Sequence, residues 1–448
     1  MYRKDSDYIK KWLESSKNAL LVTGARQIGK TWIIRDEIKK SDYKKFEINF
    51  IDQPDMVHYL NAEISAEDFL TRLKMIMPED CRPKETIVFF DEIQKCPEIV
   101  TKIKFIVDEG SFRYVMSGSL LGVELKGIAS APVGYLSVLR MYPMDFEEFM
   151  IANDVSKTTL EMLKEKFKTL MPVDGFIHEK LLSLFFVYLI VGGMPDAVKT
   201  YIETKDIREV DRIQRDIVTL YREDFSQYES EDKKLKLKSV YDIIPAELNK
   251  QNKKFVFTML NKELKFDRYE NSFLWLKDAG VALPVYCVDA PVIPLMASKR
   301  KNVFRLFSSD IGLLTSAYPA ETKIELINKN GEVNNGAHFE NAVAQQLFAN
   351  GLEPYFCKKK NVGEMDFAVE LSGKVVPIEV KSGKNYKKHK ALDNFMNVFE
   401  YHFEKAYVFS IGNVEQDDRI IYLPIYMTYL LKEPWIGQLI VELDMSGL

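Results

Sequence analysis

Eight residues near the start of the chain, Gly24-Ala25-Arg26-Gln27-Ile28-Gly29-Lys30-Thr31, follow directly on the apolar run Ala19-Leu20-Leu21-Val22 and form a complete G-x-x-x-x-G-K-T. In such a stretch glycines let successive backbone N–H groups turn inward around phosphates. The lysine reaches the β- and γ-phosphates and the hydroxyl residue holds Mg²⁺. The flanking residues supply the setting. Ala19 to Thr23 reads as a buried strand, and Trp32, Ile33 and Ile38 have helical spacing, so the loop opens on a helix N-terminus whose dipole favours phosphate. All eight loop residues are therefore candidate contacts for a nucleoside triphosphate, with Lys30 and Thr31 carrying the chemistry.

A second element completes the site on paper. Thr86-Ile87-Val88-Phe89-Phe90 is an unbroken run of β-branched and aromatic residues, as expected of a parallel strand covered on both faces, and it ends in Asp91-Glu92. Asp91 is placed to complete the Mg²⁺ shell with Thr31, and Glu92 to polarise an attacking water. Phe46 to Phe50 and Phe112 to Met116 read as two more strands, the latter ending in Ser117-Gly118-Ser119, and Leu136 to Met141 as a fifth. A polar group at that strand end, Ser117 or Ser119, can sense the γ-phosphate, although a Gly-Ser turn accounts for either serine equally well.

At 448 residues the chain has room for two or three domains, and its hydrophobic and charged fractions are those of a soluble globular protein. A formal charge of −4 supplies no global attraction to nucleic acid, so any such binding has to come from a local patch. Cys81, Cys96, Cys287 and Cys357 lack metal-ligand spacing, which fits structural thiols in a reduced cytoplasm. The apolar stretch Leu181 to Val191 is far short of the ~20 residues that span a bilayer, and the first residues open no signal peptide.

The motifs together resemble the AAA-type ATPases of bacteria and archaea that carry a C-terminal domain of unknown function with a restriction-endonuclease-like fold. The resemblance rests on the phosphate loop, on Phe90-Asp91-Glu92-Ile93-Gln94, Ser117-Gly118-Ser119, Pro143-Met144-Asp145-Phe146-Glu147-Glu148-Phe149 and Gly192-Gly193-Met194-Pro195, and continues to Glu379-Val380-Lys381-Ser382-Gly383. It implies ATP and Mg²⁺ as ligands, ATP hydrolysis, and self-association in which one subunit completes its neighbour's site. One departure concerns that last point: many relatives have Gly-Arg where this chain has Gly134-Tyr135, which leaves Arg113 and Arg140 as weak substitutes for the completing arginine.

Residues 150 to 225 have helical apolar spacing and resemble the lid that follows an AAA core. Asp224 to Lys238 is charged, without strong apolar periodicity, and reads as an exposed connection and the natural domain break. Residues 240 to 310 resemble a winged helix: Ile243 to Leu248, Phe255 to Leu260 and Tyr269 to Lys277 as three short helices, then Val281 to Val288 as a strand. Lys253, Lys254, Lys262, Lys265 and Arg268 could meet the phosphates of DNA or RNA, or form the solvated face of a protein-contact module.

In the C-terminal third, His338 to Leu347 reads as a helix. Met365 to Val369 and Val375 to Lys381 read as strands joined by Ser372-Gly373, a hairpin signal. Glu379 and Lys381 share one strand face, since side chains repeat every two residues. Asp366, Glu379 and Lys381, with Glu340 from the helix, reproduce a metal-dependent nuclease signature, in which carboxylates hold Mg²⁺ or Mn²⁺ beside a scissile phosphate and the lysine offsets developing charge. The same geometry also suits a docking platform that cuts nothing.

The expected protein is α/β: a parallel P-loop sheet of AAA type in residues 1–150, a helical lid in 151–228, a winged-helix-like segment in 240–315 and a restriction-endonuclease-like α/β domain in 316–448. Its expected activity is Mg²⁺-dependent ATP hydrolysis coupled to a nuclease-like domain that acts on or binds nucleic acid. The alternative is a nucleotide-switched scaffold whose C-terminal domain docks a protein partner. No membrane contact is expected.

Overall fold

The computed structural model describes residues 1–61, 65–118, 134–227, 231–250, 270–328 and 335–434. Five strands, β1 (Ala19–Thr23), β2 (Lys44–Asn49), β3 (Thr86–Asp91), β4 (Arg113–Gly118) and β5 (Leu136–Arg140), form an all-parallel sheet in the order β2-β3-β4-β1-β5. The alternation within each strand explains why both faces are covered. Leu20, Val22, Ile87, Phe89 and Val115 point to one side, under the helices Asp5–Ser15 and Lys30–Lys40, while Leu21, Val88, Phe90, Tyr114 and Met116 point to the other, under Ala66–Ile76 and Glu98–Glu109. Strand β4 lies between β1 and β3, so the ends that carry the phosphate loop and Asp91 are separated by the end that carries Ser117.

Eight strands form the second sheet: β6 (Ala282–Val288), β7 (Lys299–Ser308), β8 (Tyr355–Lys359), β9 (Gly363–Leu371), β10 (Lys374–Val380), β11 (Ala406–Ser410), β12 (Glu415–Asp417) and β13 (Ile420–Pro424), in the order β12-β13-β11-β10-β9-β8-β6-β7. The β9–β10 hairpin closes through Ser372 and Gly373, both left-handed at φ 51° and 71°, the pairing that matches strand twist in a two-residue turn.

The strand expected in the winged-helix segment is β6, and it pairs parallel with β8 and antiparallel with β7. The boundary expected at residue 315 therefore crosses a single sheet. Ile243 to Leu248 is the end of a longer helix, Glu231–Leu248, which contains Pro245. The third expected helix is Glu270–Asp278, while Phe255 to Leu260 and the five basic residues from Lys253 to Arg268 lie outside the described residues. Much of the expected connection from Asp224 to Lys238 is helical, in Ile207–Gln227 and Glu231–Leu248. The apolar residues of the second of these helices recur at helical spacing: Leu237, Val240, Tyr241 and Ile244 are all buried, and the surrounding charges masked the start of that stripe.

The two sheets share one core. The helix Gly175–Val191 starts at Asp174, whose carboxylate accepts from the amides of Phe176 and Ile177, and Phe185 and Phe186 meet Phe339 from the C-terminal third at ring separations of 5.8 Å. This is the apolar stretch Leu181 to Val191, buried as a seam; no helix among the described residues is long and apolar enough to cross a membrane. All four cysteines are free thiols, and Cys96, Cys287 and Cys357 are buried.

Candidate nucleotide site and carboxylate cluster

The phosphate loop is held from behind. Gly24 adopts φ +141°, and a Cβ there would lie 2.4 Å from the carbonyl oxygen of Met141, so a side chain is excluded. Gly29, at φ +90°, starts the helix Lys30–Lys40. The buried guanidinium of Arg3 donates to the carbonyls of Ile28 (2.6 Å) and Tyr142 (2.7 Å) and to Glu148 Oε1 (3.1 Å). Glu148 is itself fixed in a capping box with Asp145 at the start of the helix Phe146–Ala152. Nothing in the sequence announced Arg3.

Lys30 Nζ donates to the carbonyls of Gly24 (3.0 Å) and Ala25 (2.7 Å), which keeps the ammonium inside the loop. Burial pushes its pKa down to about 8, against the opposing pull of Glu92 and Asp91. Thr31 Oγ1 donates to Asp91 at 3.0 Å, Asn49 Nδ2 donates to the same carboxylate at 3.1 Å, and the Ser117 hydroxyl donates to it as well. Asp91 is nevertheless shifted above the ordinary carboxylate range, because burial outweighs the hydrogen bonds from Ser117 and Thr31. Asn49 reaches this carboxylate because β2 pairs with β3 in a register that puts it opposite Asp91.

Glu92 adopts the left-handed conformation at φ 58°, and the Gln94 amide donates to its carboxylate. Gly118 leaves the room that Gln94 needs, since a Cβ there would approach Gln94 Oε1 to 2.4 Å. Ser119 lies outside the described residues. A cleft of about 940 Å³ opens over Arg26, Gln27, Gly29, Lys30, Thr31 and Glu92, with Pro195 and Lys199 on its far wall, so the Gly192-Gly193-Met194-Pro195 segment contributes to the nucleotide side. A glycine cradle, a buried lysine, a hydroxyl paired with a carboxylate, and a second carboxylate at the rim are a donor set that fits a nucleoside triphosphate with Mg²⁺.

The structure brings Glu340, Asp366, Glu379 and Lys381 together, and against Glu340 and Asp366 it places a residue the sequence reading did not single out, Arg305 on β7. Its buried guanidinium lies 3.6 Å from Glu340 Oε2 and 3.8 Å from Asp366 Oδ1, and donates to Glu364 and to the carbonyl of Asp366 (3.2 Å). The Phe356 ring covers it at 4.6 Å. Lys381 Nζ pairs with Glu379 Oε1 at 2.7 Å, and the Val380 amide donates to Asp366 Oδ2 at 3.0 Å. Burial, followed by repulsion from Asp366, pushes Glu379 up to about 8 although Lys381 opposes it. The cluster lies mid-sheet, because β6, β7 and β8 extend the sheet beyond β9. Among the described residues no group of three or more His, Cys, Asp or Glu side chains is placed to hold a metal ion. Arg305 takes the space between Glu340, Glu364 and Asp366, whereas Glu379 Oε2 is buried without a hydrogen-bond partner among the described residues.

Residues 16–150 match the family model described as an AAA domain, and two domains of unknown function, DUF8612 and DUF4143, match residues 182–324 and 335–427. The N-terminal third has the P-loop α/β fold of an AAA domain. Among solved structures, the Walker-type ATPase of Pyrococcus abyssi is 14% identical, over 70% of this chain and 95% of that one, at a TM-score of 0.42. The Aeropyrum pernix ORC1 protein, solved in complex with DNA, is 12% identical over 73% and 91% at 0.30. The Thermotoga maritima RuvB branch migration motor is 16% identical over 63% and 89% at 0.28. Likenesses this distant say nothing of substrate or partner. No curated protein matches the chain.

The AAA domain's two substitute arginines are both engaged within the chain. Arg113 donates to the carbonyls of Trp12, Leu13 and Ser16 and lies 4.4 Å from the Trp12 ring centroid, and Arg140 donates to the carbonyl of Lys277 at 2.7 Å.

Proposed function

We propose that the chain binds ATP with Mg²⁺ in the cleft of its AAA domain and hydrolyses it there. The observation that carries this reading is the convergence of Lys30, Thr31 and Glu92 on one cleft, with the buried Asp91 hydrogen-bonded to Thr31, Asn49 and Ser117. Thr31 and Asp91 are the residues that would hold Mg²⁺, which offsets negative charge on the β- and γ-phosphates when bound. Lys30 leaves the loop carbonyls for the same phosphates. Glu92 orients a water and takes its proton as the water oxygen bonds the γ-phosphorus. The bond from that phosphorus to the β–γ bridging oxygen breaks, and ADP leaves with the bonding pair.

Steady-state phosphate release, with and without DNA, tests the reading. The parental protein releases phosphate, and Glu92→Gln binds ATP with parental affinity but turns over slower by on the order of 100-fold, the reach of general-base catalysis. A Glu92→Gln variant with parental turnover would move the base elsewhere. Self-association belongs to the same reading, and light scattering with and without ATP tests it.

For the C-terminal third, the order helix Gly336–Ala349, strands β8, β9 and β10, helix Lys390–Met396 and parallel strand β11 supports a restriction-endonuclease-like domain. Arg305 among the carboxylates favours its non-cleaving form, and hence the scaffold reading in which nucleotide occupancy governs a protein or nucleic-acid contact.

A further inference from the structure

We propose that Arg26 is the chain's own guanidinium for the γ-phosphate, parked on Asp224 of the helix Ile207–Gln227 until ATP competes for it. This rests on the ATPase reading of the cleft.

Three arginines line that cleft, and they differ in what holds them. Arg3 is committed to the carbonyls of Ile28 and Tyr142 behind the loop. Arg35, one turn into the helix, is paired with Glu47 on the neighbouring strand. Arg26 belongs to the phosphate loop itself, close enough to Lys30 to repel its ammonium, and its side-chain partner is a carboxylate from another part of the chain. Asp224 is near enough to Glu92 for the two carboxylates to repel, so the Arg26–Asp224 pair stands beside the proposed general base rather than behind the loop.

The pair is partly solvated, with side-chain exposures of 28% and 13%, and is therefore weak enough to exchange. A triphosphate presents several anionic oxygens to a planar fork that binds phosphate bidentately, a better partner than one carboxylate. A side-chain hydrogen bond keeps the loop and helix in register meanwhile: the Tyr221 hydroxyl, one turn before Asp224, donates to the Arg26 carbonyl at 3.0 Å. With Tyr135 in place of an arginine, and Arg113 and Arg140 spent on carbonyls, Arg26 is, among the described arginines of the cleft, the one placed to meet the developing charge. Asp224 is its positioning residue. Loss of the pair also frees the end of a helix whose Phe225 packs edge-on against Trp275 at 5.2 Å, which carries nucleotide state towards the strands that follow.

ATP and ADP affinities by calorimetry, with phosphate release, on Arg26→Ala, Arg26→Lys, Asp224→Asn and the double variant Arg26→Ala/Asp224→Asn test the proposal. Asp224→Asn should bind ATP more tightly, by up to about fivefold, with ADP affinity unchanged, because a competitor of that strength has gone. Arg26→Ala should lose affinity for ATP relative to ADP and lower kcat by on the order of 100-fold or more. Arg26→Lys should restore part of the affinity but little of the rate, since an ammonium lacks the fork. The double variant should match Arg26→Ala. Parental or weaker ATP affinity in Asp224→Asn, or parental kcat in Arg26→Ala, overturns the proposal. Lys30→Ala separates the two readings: if it binds ATP as the parent does, the cleft assignment itself fails.

Discussion

Gly280 faces Ala25 so closely that a Cβ on it would lie 2.9 Å from the Ala25 nitrogen. Gly280 closes the helix Glu270–Asp278 at φ +73° and leads into β6, so the first strand of the second sheet starts from a residue seated on the phosphate loop. Gly280→Ala must either bend that turn or push the loop, and the left-handed backbone alone costs about 1–2 kcal/mol. The expected outcome is roughly tenfold weaker ATP binding by calorimetry together with a lower Tm. Parental affinity alongside a lowered Tm would mean that the strain relaxes away from the loop.

A second close approach joins the halves at Gly193. A Cβ there would lie 1.9 Å from the Met144 carbonyl oxygen, and the Gly193 amide donates to Asp310 Oδ2 at 2.6 Å. Asp310 also accepts from the Leu313 amide at 2.9 Å as the cap of the helix Ile311–Ser316. Burial pushes its carboxyl up to about 6 despite those donors. Gly193→Ala should destabilise the whole chain by about 3 kcal/mol, the upper range of overpacking, since backbone rather than a flexible side chain stands in the way. Urea unfolding would measure it, and a variant within 1 kcal/mol of the parent would contradict the fit.

Removing Arg305 tests the carboxylate cluster. Arg305→Met leaves Glu340, Glu364 and Asp366 without their cation, and breaking a buried pair in this way costs about 3–5 kcal/mol. Mn²⁺ should then restore part of the lost stability in the variant, while the parental C-terminal cluster neither binds Mn²⁺ nor nicks DNA or RNA. Nicking by the parent that disappears in Lys381→Ala would instead establish a working nuclease.

The phosphate loop, the Asp91-Glu92 strand end and the five parallel strands were legible because each is a local pattern: a glycine spacing, an apolar run, a terminal acid. What stayed hidden depends on pairing across long stretches of chain. Asn49 meets Asp91 through the β2–β3 register, Arg3 is fixed behind the loop by Tyr142 and Glu148 from the far end of the domain's sequence, and Arg305 enters the carboxylate cluster because β6 and β7 join a sheet whose other strands come later. No spacing rule carries that information. Charged helices were misread for a related reason. Around Leu237 to Ile244 the apolar stripe is narrow, and the abundant lysine and acid reads as a solvated connection until the partner surface is seen.

Acid sensitivity should trace in part to His338. Its ring is buried in the helix Gly336–Ala349 against the Tyr318 ring at 4.7 Å, with neither nitrogen hydrogen-bonded among the described residues, and burial pushes its pKa down to about 4. The unfolded chain holds its imidazole near pKa 6.5, so between these values the unfolded state binds more protons and stability falls as pH drops. The contribution is complete above pH 6.5 and is lost towards pH 4, amounting to about 2 kcal/mol by pH 5. His338→Phe keeps a planar ring of similar size and removes the titration. Denaturant unfolding at pH 7 and pH 5 should therefore show a smaller acid loss in the variant, by about that amount; equal losses in both proteins would place the acid-sensitive group elsewhere.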